Sequence, residues 1–134
     1  IKTAENHLNK YIDEKLQEWN LTEDKLVVVG FSQGAMMAMH VMPRREKTCA
    51  GIIAYSGLLM SSDKLSTEAK SKMPILAMHG EDDEVVSPHY LSLVEQGFSN
   101  AGYEIETIMR TNLGHGIDYV GISRGVQFAC ECLK

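Results

Sequence analysis

Cysteine is scarce in this chain, which has only Cys49, Cys130 and Cys132 among 134 residues. An odd count without zinc-site spacing, and with the last two thiols separated by a single residue, argues against a disulfide framework and for reduced thiols. Basic clusters are lacking too. No Lys/Arg run is longer than Arg44-Arg45 and the formal net charge is −5, which argues against a general nucleic-acid binder, because phosphate contacts need a basic face. Long apolar runs are missing: Leu26 to Val29 is far too short to span a bilayer, and the N-terminus has no charged-then-apolar leader. No stable membrane insertion and a cytoplasmic location are therefore expected. An initiator methionine is also absent. The chain opens on Ile1 and runs at once into a helical pattern, so the natural start is expected upstream.

What is present has the balance of one globular domain spanning residues 1–134, with 44% hydrophobic and 23% charged residues. The methionines at 36, 37, 39 and 42 read as core filling of a helix.

Along the chain, Ala4, Leu8, Tyr11, Ile12, Leu16 and Trp19 make one apolar stripe of an amphipathic helix over residues 3–19. Lys25 to Gly30 is a continuous β-branched run, the pattern of a central parallel strand covered on both faces. A tight turn follows, then a helix from Ala35 to Met42 stopped by Pro43. Gly51–Tyr55 and Ile75–His79 read as further strands. Ser87-Pro88 starts a helix that continues through Leu91, Val94, Phe98 and Ala101 to Gly102. Glu104 to Met109 alternates like a strand, and Asp118 to Leu133 supplies a last helix with Ile122, Val126, Ala129 and Leu133 aligned, weakened by Gly121 and Gly125. Alternating strands and helices predict an α/β fold of about four parallel strands with helices on both faces, with ligands bound beyond the carboxyl ends of the strands.

At one such end stands Gly30-Phe31-Ser32-Gln33-Gly34, a G-x-S-x-G pattern. Chance produces the bare pattern in roughly 4% of chains this long, so its weight comes from lying between a strand and a helix, where the turn presents a strained, exposed serine. A serine hydroxyl needs a base, and the base needs an orienting carboxylate. In this kind of fold the chain order is serine, acid, histidine. His7 precedes the serine, His40 lies on the helix that follows it, and His89 falls in the first turn of a helix. His115, in Leu113-Gly114-His115-Gly116 after the last strand, is left as the base. For the acid, Glu81, Asp82, Asp83 and Glu84 follow the third strand, and residue chemistry does not choose among them.

Gly-Phe-Ser-Gln-Gly-Ala at 30–35, His79-Gly80-x-x-Asp83-x-x-Val86 and Gly114-His115 together resemble the phospholipase/carboxylesterase family, which includes acyl-protein thioesterases, and the match spans nearly the whole chain. The resemblance implies the C-terminal part of an α/β-hydrolase fold, hydrolysis of carboxylic esters or thioesters, and no metal or cofactor. It places the acid on Asp83 and gives His79 a structural role. The implied substrates are small acyl esters, thioesters or lysophospholipids.

The mechanism so implied has Ser32 attacking an acyl carbonyl, His115 as base and then acid, and Asp83 holding the imidazole. The backbone N–H of Gln33 would supply one oxyanion donor, and a glycine-rich loop after an early strand would supply the other. That loop and the first strands are expected upstream of residues 3–19. The run Leu26–Val29 would then border a missing strand, leaving an edge for an upstream segment or a second copy to pair with.

Overall fold

The computed structural model describes residues 2–134. Four strands form one parallel sheet in the order β1-β2-β3-β4, with β1 at Val27–Phe31, β2 at Gly51–Tyr55, β3 at Ile75–Gly80 and β4 at Ile105–Arg110. Val28 lies opposite Ile52, Ile53 opposite Leu76, and Ala77 opposite Thr107. The helices are α1 (Lys2–Trp19), α2 (Gln33–Val41), α3 (Leu65–Glu68), α4 (His89–Asn100) and α5 (Tyr119–Cys132).

Alternation along the strands divides the core in two. Val28, Ile52, Ala54, Ile75 and Ala77 face one side, where they meet Ile12 and Leu16 of α1, Ala35, Ala38 and Met39 of α2, and Leu91, Val94 and Phe98 of α4. Val27, Ile53, Tyr55, Leu76 and Met78 face the other, where Phe128 of α5 covers them. The methionines at 39 and 42 are buried, as the apolar reading of that stretch expects. No helix among the described residues is long and apolar enough to cross a membrane.

Two expectations need correction. β1 is the edge strand that a missing neighbour implies, paired only with β2 among the described residues, but its run is neither central nor covered on both faces, since Val29 on it is 59% exposed. Its β-branched run is the signature of cover on both faces, but α5 lies over β2 and β3 and leaves the outer half of this face open. The second correction concerns α5. Its sheet-facing residues are Gly121, Gly125 and Phe128; of the aligned four, Ala129 packs against this core, and Ile122, Val126 and Leu133 are exposed. The glycines explain the difference. A Cβ on Gly125 would overlap the Tyr55 hydroxyl, which donates a hydrogen bond to the Gly121 carbonyl at 2.8 Å, so the helix can lie this close only without side chains there.

Candidate active site

The turn from β1 into α2 is shaped by sterics. Any Cβ on Gly30 would collide with the backbone of Gly34 and Ala35, so the strand can enter the helix this tightly only with glycine at 30. Gly34 itself has open space where a Cβ would stand. Ser32, between them, is held at φ 56° and ψ −116°, a conformation that strains a non-glycine residue. Its N–H donates to the Tyr55 carbonyl at 2.8 Å, which ties the turn to β2. A serine before a helix ordinarily caps the first turn, but the Ser32 side chain makes no capping bond and is free for another partner.

That partner is His115. Its Nε2 lies 3.0 Å from Ser32 Oγ, and its Nδ1 lies 2.7 Å from Asp83 Oδ2. The imidazole also packs against the Phe31 ring, with centroids 4.8 Å apart. Asp83 is 5% exposed, whereas Glu81, Asp82 and Glu84 are all exposed. The candidate acids that residue chemistry left undivided are thus separated by burial and contact. Burial pushes the Asp83 carboxyl up, but the hydrogen bond from His115 and those from the backbone N–H groups of Val86 and Val85 outweigh it. The net position is below the usual aspartate value.

The loops that carry these residues brace one another. Glu81 N–H donates to Arg110 and Asp82 N–H to Leu113, which joins the aspartate loop to the histidine loop. Arg110 Nε donates to Asp118 Oδ2 at 2.8 Å, closing the base of the histidine loop, and Asp118 Oδ1 caps α5 through Gly121 N–H. Gln33 opens α2, so its N–H is among the helix-start donors that no carbonyl within the helix takes. Three of the other four histidines lie elsewhere: His7 is exposed on α1, His40 pairs with Glu5, and His89 is exposed at the start of α4. Residue patterning did not reveal the Arg110–Asp118 brace or the contact of His79 with Asp83 at 3.3 Å. His79 and Asp83 stand four residues apart in one motif, but a motif does not tell that their side chains meet; Arg110 and Asp118 belong to no motif, and their brace becomes visible only in the folded chain.

The profile of the Phospholipase/Carboxylesterase family matches residues 1–132. The chain belongs to this family. Among family relatives, acyl-protein thioesterase 1 homolog 1 of Dictyostelium discoideum is 27% identical over 117 residues, covering 86% of this chain and 52% of its own length. Esterase YpfH of Escherichia coli (strain K12) is 28% identical over 107 residues, covering 80% of this chain and 43% of its own. The crystal structure of esterase PE8 superposes with a TM-score of 0.95 at 31% identity over 98% of this chain and 61% of its own. That of Arabidopsis thaliana SOBER1, at 24% identity and a TM-score of 0.90, shares the fold. This family member therefore spans about half the length of the relatives it matches, 52% and 43% for the two named.

Proposed function

We propose that this chain carries the nucleophile and its proton relay in a serine hydrolase that cleaves carboxylic esters or thioesters through an acyl-Ser32 intermediate. The observation that carries the reading is the unbroken line from Ser32 through His115 to Asp83, with gaps of 3.0 and 2.7 Å. In this reading His115 takes the Ser32 proton as Oγ attacks the acyl carbonyl, then gives it to the departing alcohol or thiol. Water, activated by the same imidazole, releases the acid from the serine. Asp83 stays ionised and holds the ring. Gln33 N–H is one donor to the tetrahedral oxyanion. Every proton moves between side chains, substrate and water, so the reaction as written calls for no metal or cofactor. The names of the relatives, thioesterase and esterase, favour small acyl esters or thioesters as substrates, and the family's description, phospholipase/carboxylesterase, adds lysophospholipids. Exposed Phe31, Val85 and Ile117, each within two residues of a member of the relay, give such acyl groups an apolar approach.

The same proposal makes residues 1–134 an N-terminally incomplete domain, with the second oxyanion donor supplied by an upstream segment or another chain. Its support is the unpaired edge of β1 and the exposed Val29 and Phe31 upon it. Lacking one such donor typically lowers turnover by about 10² to 10³, so the chain alone would work slowly. That edge also favours a second reading, in which the chain is an impaired or split hydrolase that acts through assembly, with a second copy or an upstream segment on the edge.

An activated fluorophosphonate tests the first reading. One adduct in intact-protein mass spectrometry, lost in Ser32→Ala, is expected; labelling that persists in the variant sinks the assignment of Ser32.

A further inference from the structure

We propose that His79 is a positioning residue for the Asp83 carboxylate, holding the aspartate and its loop in register with His115. The inference rests on the hydrolase reading of Ser32. His79 is the last residue but one of β3, which is buried throughout, and its side chain is 1% exposed. Its Nε2 lies 2.8 Å from the Val86 carbonyl and 3.3 Å from Asp83 Oδ2. Both neighbours are acceptors, so Nε2 must carry the proton and donate; a bare nitrogen there would face two oxygens lone pair to lone pair. Nδ1 is buried and has no hydrogen-bond partner among the described residues. A proton on Nδ1 would be an orphaned buried donor, whereas a bare nitrogen loses less by being alone. The ring is therefore held in one tautomer, with its single N–H pointing at the aspartate loop.

The consequence lies in how Asp83 is held. Oδ1 accepts from Val85 N–H at 2.8 Å and Val86 N–H at 2.9 Å, and Oδ2 faces His115 Nδ1 at 2.7 Å with His79 alongside. Val86 thus donates to Asp83 through its N–H and accepts from His79 through its carbonyl. The ring pins both ends of the turn that presents the carboxylate. Oδ2 is shared between two imidazoles, one of which contacts the nucleophile. The second, buried imidazole stops the carboxylate from swinging about its Cβ–Cγ bond, and it lowers the basicity of the oxygen that His115 uses.

The test reads the aspartate directly and the serine separately. In the unaltered chain, long-range ¹H–¹⁵N spectra should show His79 protonated at Nε2 only; a proton on Nδ1 overturns the proposal. In His79→Leu, ¹³C titration should move the Asp83 carboxyl to higher pH, and fluorophosphonate labelling of Ser32 should slow by up to about ten-fold, the usual worth of a hydrogen bond such as the one His79 gives the Val86 carbonyl. The acid limb of the labelling profile should move to higher pH with it. His79→Gln, which keeps an N–H near the Nε2 position, should restore both. An Asp83 titration equal in all three proteins overturns the proposal, as does a loss of labelling that Gln does not rescue. Absence of any Ser32 adduct in the unaltered chain would count against the hydrolase reading, and the two spectroscopic results would still decide the role of His79.

Discussion

Asp83 is the residue on which the electrostatics of the proposed site converge. Burial raises its carboxyl, and the hydrogen bonds from His115 and from the backbone N–H groups of Val86 and Val85 outweigh that effect. Replacing it by asparagine keeps the shape but presents the wrong hydrogen-bonding partner to His115, and Ser32 labelling at neutral pH should fall by about 10⁴, measured as a second-order rate. The depressed carboxyl also has a stability consequence with a definite sign. Above the ordinary aspartate value of about 3.9 the group is ionised both folded and unfolded. As pH falls below that value the unfolded chain takes up a proton that the folded one refuses, so stability drops until the folded carboxyl itself protonates. Urea unfolding followed from pH 5 downwards should therefore show a shallower loss in Asp83→Asn than in the unaltered chain. Equal slopes would mean that Asp83 contributes nothing to acid sensitivity.

At the scale of elements, the packing of α5 on β2 gives a test of why glycine stands at 121 and 125. Gly125→Ala improves helix propensity by about 1 kcal/mol, yet the new methyl overlaps the Tyr55 hydroxyl, and overpacking of this kind typically costs about 1–3 kcal/mol. Net destabilisation is expected in urea melts. Tyr55→Phe should remove the clash and recover much of it in the double variant; a simple sum of the two single effects would show that the hydroxyl is not the obstacle. The same helix shows where the sequence was legible and where it was not. β2 and β3 could be read because they are buried on both faces, and α4 because Leu91, Val94 and Phe98 face the core at helical spacing. For α5 the strongest apolar stripe runs through Ile122, Val126, Ala129 and Leu133, and all of it but Ala129 points away from the sheet. Hydrophobic periodicity is blind to glycine, so a helix seated on its small residues is assigned the wrong face. In the proposed site, the elbow pattern and chain order single out Ser32 and His115, the two side chains that the structure brings to 3.0 Å. Choosing Asp83 from its acidic neighbours took a family resemblance, because burial and backbone donors, which distinguish it, leave no trace in composition.

For the molecule as a whole, the open side of the sheet sets its behaviour in solution. Val29 and Phe31 on β1 and Ile122 and Val126 on α5 are all exposed, and β1 has neither Lys nor Pro to discourage pairing. Val29→Lys should therefore reduce concentration-dependent self-association in sedimentation velocity while leaving the thermal midpoint nearly unchanged. If the unaltered chain sediments as a monomer at all concentrations, self-pairing through this edge is refuted. β1 is at once the open edge and the strand whose last residue, Phe31, precedes Ser32 and rests on His115. Anything that settles on that edge also settles the backbone from which the serine springs, so binding at the edge and chemistry at the serine would be thermodynamically linked. Such linkage is reciprocal: a partner that favours the acylated state of Ser32 over the free one at equilibrium must itself be held more tightly by the acylated chain.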